Sequence, residues 1–269
     1  MLVVLYTVLI GVLVGTHVSC WGMYKDAPHE GFAVPKFLRS VVLAALIAPG
    51  VSALLGVRPV NVSSAVLLFG MVYAGERLIL EPWKTFFRHE DQSKYAIPMQ
   101  LAVFGRVVSS GPLRVLLGCV YCAILLGGIL LVAKLYPVSH LSPIVLAVTL
   151  GAAGGWVSAF GGAWKDAPIE GFQIFKFFRS PAISAFYAFL LYNLGASPIQ
   201  GLLGGIGFTV ATTETWKTFF FPSSPRGKFA GTPILYPDML RRRQYFVPLY
   251  AGICVLVVVG FVLAFRLDR

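Results

Sequence analysis

The chain has 269 residues, of which 57% are hydrophobic and only 12% charged, and its mean hydropathy is +0.79. A soluble domain carries about 25% charged residues, so this composition excludes a soluble globular domain, a disordered chain and a disulfide scaffold, and leaves an integral membrane protein. The net charge of +11 is a matter of membrane topology, and no nucleic-acid partner is expected.

A helix crossing a bilayer core of ~30 Å needs about 20 apolar residues. Taken in chain order, such runs cover 2–22, 41–57, 60–80, 113–135, 143–163, 182–196, 199–213 and 246–265. They are continuously apolar, so they predict helices rather than the alternating strands of a barrel. The sixth and seventh are short and are expected to gain length from the aromatic flanks 175–178 and 216–221. The first run lacks the basic start of a signal peptide and is expected to remain as a span.

The sequence repeats itself. Residues 25–40, KDAPHEGFAVPKFLRS, match residues 165–180, KDAPIEGFQIFKFFRS, at 11 of 16 positions without a gap. Residues 81–87, EPWKTFF, match 214–220, ETWKTFF, at six of seven. Between these motifs LGVRPV (55–60) resembles LGASPI (194–199), and beyond them Lys94-Tyr95-Ala96 resembles Lys228-Phe229-Ala230. Two tandem copies in the same order predict an all-α membrane protein of about eight transmembrane helices. The first four-helix repeat spans 1–137 and the second 138–269. Four spans return the chain to its starting side, so the copies have parallel topology and a pseudo-two-fold axis along the membrane normal.

Charge fixes the orientation. Of the 22 Lys and Arg residues, only Arg58, Lys134, Arg266 and Arg269 fall on the side of the termini, which leaves 18 on the other. By the positive-inside rule the motifs and the long loops 81–112 and 214–245 are cytoplasmic, both termini are outside, and the membrane is expected to be a bacterial or archaeal plasma membrane. Arg241, Arg242 and Arg243 beside Tyr245 and Phe246 are expected to anchor anionic lipid headgroups.

The first motif predicts a capped reversal. Proline biases Ala27 and Ala167 away from helix, which places Asp26 and Asp166 as caps and Pro28 and Pro168 in the first turn of a new helix. Glu30 and Glu170 would then sit in that first turn, favoured by the helix dipole, with Gly31 and Gly171 allowing a bend. Lys36, Arg39, Lys176 and Arg179 point to headgroups. In the second motif Glu81 and Glu214 precede Lys84 and Lys217 by three residues, a spacing for intrahelical ion pairs. They are expected to face Lys25/Asp26 and Lys165/Asp166 of their own copy. Glu76 and Arg77, one turn deeper, have no charged match in the second copy and predict a local salt bridge or an asymmetric site.

Cys20, Cys119, Cys122 and Cys254 read as small packing residues. His17, His29, His89 and His140 do not recur between copies, so no metal or haem site is expected. The chain has no G-x-S-x-G, H-E-x-x-H, Walker loop or D-D-x-x-D pattern, so no catalytic residue, metal ligand or cofactor is assigned. Duplicated parallel halves are a transporter plan. The leading expectation is a transporter, channel or lipid translocator. Its charged cytoplasmic-face site would comprise Lys25, Asp26, Glu30, Lys36, Arg39, Glu81, Lys84 and their counterparts Lys165, Asp166, Glu170, Lys176, Arg179, Glu214 and Lys217. Sparse polar residues in the spans, such as Thr16, Ser64 and Thr149, suit a weakly polar or lipid-like cargo. One alternative is a membrane enzyme acting on a lipid phosphate headgroup, with Lys25, Arg39, Lys165 and Arg179 holding phosphate and Asp26, Glu30, Asp166 and Glu170 holding Mg²⁺ or acting as base. Another is a non-catalytic subunit or scaffold whose loops meet a partner. Expected partners are anionic membrane lipids and a second copy or a larger membrane complex.

Overall fold

The computed structural model describes residues 2–92, 95, 99–104, 106–223 and 227–268; Lys94, Ala96, Arg226 and Arg269, invoked above, lie outside the described residues. Eight long helices dominate: α1 (Leu2–Glu30), α2 (Val34–Leu55), α3 (Val62–Pro82), α4 (Gly111–Leu135), α5 (Pro143–Glu170), α6 (Ile174–Asn193), α7 (Pro198–Phe219) and α9 (Phe246–Leu267). A short α8 (Met239–Arg242) and a two-stranded hairpin, β1 (Ala102–Val103) with β2 (Arg106–Val107), occupy the loops. Among the described residues, seven helical segments are long and apolar enough to cross a membrane. The eighth long helix, α7, is diluted by glycine and threonine and lies at the centre, with Gly204, Ile206, Phe208 and Thr209 buried. The chain is an all-α polytopic membrane protein.

Local sequence explains the ends. Asn61 caps α3 and Ser197 caps α7, each in a reciprocal capping box with the residue three positions on, Ser64 or Gln200. The sixth and seventh runs do gain length from their aromatic flanks: α6 begins at Ile174 and α7 runs on to Phe219.

The first motif departs from expectation. Its proline does not open a new helix: α1 continues through Pro28 to Glu30 and α5 through Pro168 to Glu170. The next helices start at Val34 and Ile174, after Gly31 (φ 74°) and Gly171 (φ 77°) turn the chain. Asp26 and Asp166 are therefore interior residues rather than caps, and Glu30 and Glu170 close a helix where the dipole opposes a negative charge. Lysines compensate: Lys36 bonds Glu30 at 2.6 Å, and Lys176 pairs with Glu170.

The second motif takes two conformations. After Pro82 the segment Trp83–Phe87 is a π-helical turn closed by Arg88 N–H donating to the Trp83 carbonyl at 2.9 Å. In α7 the same five-residue sequence follows Thr215, and its first four residues continue the α-helix to Phe219. The motifs differ at one position, Pro82 against Thr215, and it is the copy with proline that takes the π-helical turn.

Small residues bring the helices together. Gly11 and Gly15 lie on the backbone of Ala44 and Ser40–Val41, and Gly151 and Gly155 on Ser184–Ala185 and Ser180–Pro181. α3 and α7 cross more closely still: a Cβ on Gly207 would stand 1.9 Å from the Gly70 carbonyl oxygen. The core around this crossing includes Leu68, Met71, Val72, Tyr73 and Leu191, all essentially inaccessible. α9 packs on α1 and α3, whereas α4 touches the rest mainly at Trp83–Phe87, where Gly118 meets Phe86 and Phe87.

Candidate functional site

The ends of α1, α3, α5 and α7 meet in one group of charges. Lys25 at the end of α1 donates to Glu214 of α7 at 2.9 Å, and Lys165 at the end of α5 donates to Glu81 of α3. The acids thus face the lysine of the opposite copy, not of their own as the spacing alone suggested. Each of these helices packs on the hairpin of its own copy, and the close α3–α7 crossing brings their charged ends together so that each acid reaches across to the lysine of the other copy.

Further pairs lie within one copy, as Lys217 with Asp166, or again join the two, as Lys228 with Asp26 and Glu30. Lys217 bonds Asp166 at 3.0 Å, and Lys228 approaches Asp26 at 3.4 Å and Glu30 at 3.7 Å. Glu81 also accepts from Lys84 at 3.2 Å and from Arg77 at 3.4 Å, so three cations share one carboxylate. Glu76, fully buried, takes a second set of bonds from Arg77, with Nη2 to Oε1 at 2.6 Å. The expected local salt bridge is therefore present. Arg179 lies in α6 and Arg39 in α2; the Arg39 guanidinium faces the Trp83 ring at 5.8 Å.

Two residues on the adjoining loop extend the cluster. Tyr95 donates to Glu90 at 2.6 Å and lies against Arg88 (4.3 Å) and Lys36 (5.0 Å). Burial, and then this bond to Glu90, push its hydroxyl up to about 12. Of the expected headgroup anchors, Arg241 and Arg242 are exposed, but Arg243 turns inward and donates to the carbonyls of Tyr24 (3.3 Å) and Pro222 (3.0 Å).

Below the charges runs a buried polar chain. Trp21 Nε1 donates to Tyr73 Oη at 2.8 Å. Tyr73 Oη is also hydrogen-bonded to His17 Nδ1 at 3.2 Å, and His17 Nε2 to Cys254 Sγ at 3.4 Å. The Trp21 ring also carries Lys25 on one side at 4.6 Å and Arg77 at 5.4 Å. Sequence reasoning missed this chain because its members lie on α1, α3 and α9 and do not recur between copies.

No family model, curated protein or solved structure matches the chain. The chemistry must therefore be read from the geometry. One oxygen of each acid is held by a lysine, Lys228 on Asp26, Lys36 on Glu30, Lys217 on Asp166 and Lys176 on Glu170, while the second oxygen of Asp26, Glu30 and Glu170 is buried and accepts no hydrogen bond. Among the described residues no three His, Cys, Asp or Glu side chains are grouped to hold a metal ion. What the cluster can do is lock helix ends together through exchanged ion pairs and release them when those pairs are broken.

Proposed function

We propose that this protein is a membrane transporter or lipid translocator built from two tandem four-helix copies of parallel topology, with the charged cluster as its gate on the cytoplasmic face. The observation that carries the reading is the exchange of Lys25–Glu214 and Lys165–Glu81 between the copies. Ion pairs between helix ends form and break with little structural change, because surface pairs are individually worth only about 0–1 kcal/mol and partly buried ones somewhat more. The tight Gly70–Gly207 crossing beneath them supplies a fixed point about which the halves can rock. The excess of basic residues on this side supports a cytoplasmic placement.

The test is reconstitution. Liposomes containing the purified protein are assayed for movement of protons, chloride and inorganic phosphate, and for flipping of fluorescent phosphatidylglycerol. Lys25→Ala/Lys165→Ala should raise the rate of at least one process relative to the unaltered protein. If neither protein moves any of these, and spin labels at the ends of α1 and α7 hold one distance in both, the gate reading fails.

A second reading, a subunit of a larger complex, is favoured by α4. Its outward face from Leu116 to Leu131 is exposed and it adheres to the bundle mainly through Gly118. Purification in mild detergent with a stable second polypeptide would favour it.

A further inference from the structure

Positive charge in the cluster is not evenly compensated. Arg39 on α2 is half-buried, and its Nε is shut off from solvent without a hydrogen-bond partner. Arg88, only 3% exposed, also keeps a buried Nε without a partner, although its other nitrogens reach Glu90 (3.2 Å) and Gln92 (3.0 Å). Both guanidinium groups flank the same indole: Arg39 lies 5.8 Å and Arg88 5.9 Å from the Trp83 ring. The acids nearby are already engaged. Glu76 is bound by Arg77, and Glu81 is divided among Arg77, Lys84 and Lys165.

We infer that Arg39, Arg88 and Lys84 form a binding site for a phosphate-bearing anion at the α2–α3 edge, beside Trp83. Buried guanidinium nitrogens left unpaired cost stability. A tetrahedral oxyanion offers several acceptors at once: the Arg39 fork would donate to it directly, and Arg88 and Lys84 would turn to it from Gln92 and Glu81, which they hold in its absence. The π-helical turn after Pro82 is what brings Trp83, Lys84 and Arg88 to this edge. The second copy, with Thr215 and a continuous helix, lacks the turn. Exposed Leu38, Val42 and Ile79 lie on the same two helices and give an apolar flank for an acyl chain. The phosphate can therefore come from a lipid headgroup or from solution. The site does not depend on the transport reading, because Arg39 and Arg88 take no part in the exchanged pairs.

The full chain in detergent is titrated with inorganic phosphate and separately with short-chain phosphatidylglycerol, with chloride as control, and binding is read as the rise in Tm. At least one phosphate-bearing probe should raise Tm, and Arg39→Gln should weaken it about tenfold or more. Arg39→Lys, which keeps the charge but loses the fork, should fall between. The exposed pair Arg58→Gln/Lys134→Gln, on the side of the termini, should bind as the unaltered protein does. Stabilisation by lipid alone assigns a headgroup site, and equal stabilisation by phosphate assigns a soluble anion. If neither probe raises Tm beyond chloride, or if Arg39→Gln binds as tightly as the unaltered protein, the assignment is wrong.

Discussion

Arg243 donates to the main-chain carbonyl of Tyr24, the oxygen that Pro28, four residues on in the same helix, cannot bond. Proline inside a helix costs about 3 kcal/mol through its missing amide and ring clash. Here a guanidinium from the far end of the sequence takes the vacated acceptor and covers the Tyr24 ring at 4.4 Å. The helix end is held further by Leu235 and Tyr236, whose amides both donate to the Pro28 carbonyl at 3.0 Å.

Arg243→Ala is accordingly expected to destabilise the protein by about 1.5–3 kcal/mol, the range for a hydrogen bond to a charged group. In a Pro28→Ala background residue 28 regains an amide for Tyr24, so the same substitution should cost less. Thermal unfolding of the four proteins of this cycle measures the difference. Equal costs in both backgrounds would mean that Arg243 acts only through Pro222 and the ring.

Charge exchange between the copies can be tested by reversal. Lys25→Glu or Glu214→Lys alone places like charges at a distance of 2.9 Å, and each should lower Tm. The double reversal should recover at least half of the loss. Additive losses would show that the pair is incidental to stability.

The existence and approximate places of the long helices follow from the sequence, although α1 and α5 run further than their apolar stretches and α2 starts earlier. Apolar runs give the spans; that Gly11/Gly15 and Gly151/Gly155, four residues apart, form the faces on which the hairpins close is shown by the structure. The end of α1 was not legible. The bias against helix before proline is overridden where Ala27 is fully buried and Arg243 and the loop 233–236 satisfy the freed groups. The partners of Glu81 and Glu214 were not legible either. Spacing places these acids on a helix face, but which hairpin they meet depends on the α3–α7 crossing, a tertiary feature set by Gly70 and Gly207.

That crossing yields a sharp contrast. A methyl group at residue 207 would collide with backbone, while at Gly162 nothing lies within 4 Å. Gly207→Ala should therefore abolish the monodisperse folded protein or lower Tm strongly. Gly162→Ala should be neutral or gain up to about 1 kcal/mol from helix propensity. Size-exclusion profiles and unfolding curves in one detergent compare the two. A well-behaved Gly207→Ala protein would show that α3 and α7 do not pack this closely.

The buried chain of Trp21, Tyr73, His17 and Cys254 makes the last prediction. The Tyr73 hydroxyl both accepts from Trp21 and shares a hydrogen bond with His17 Nδ1. Removing that single oxygen in Tyr73→Phe leaves an indole N–H and an imidazole nitrogen without partners, in a region where Tyr73 is wholly inaccessible and His17 is 3% exposed. Each unmet buried group costs about 1–3 kcal/mol, so the loss should exceed that of an ordinary Tyr→Phe change. Combining Tyr73→Phe with His17→Phe removes one of the stranded groups along with its partner, and should be less damaging than the sum of the single changes. If the two losses simply add, the hydroxyl and the imidazole are not coupled, and the chain is a row of neighbours rather than a network.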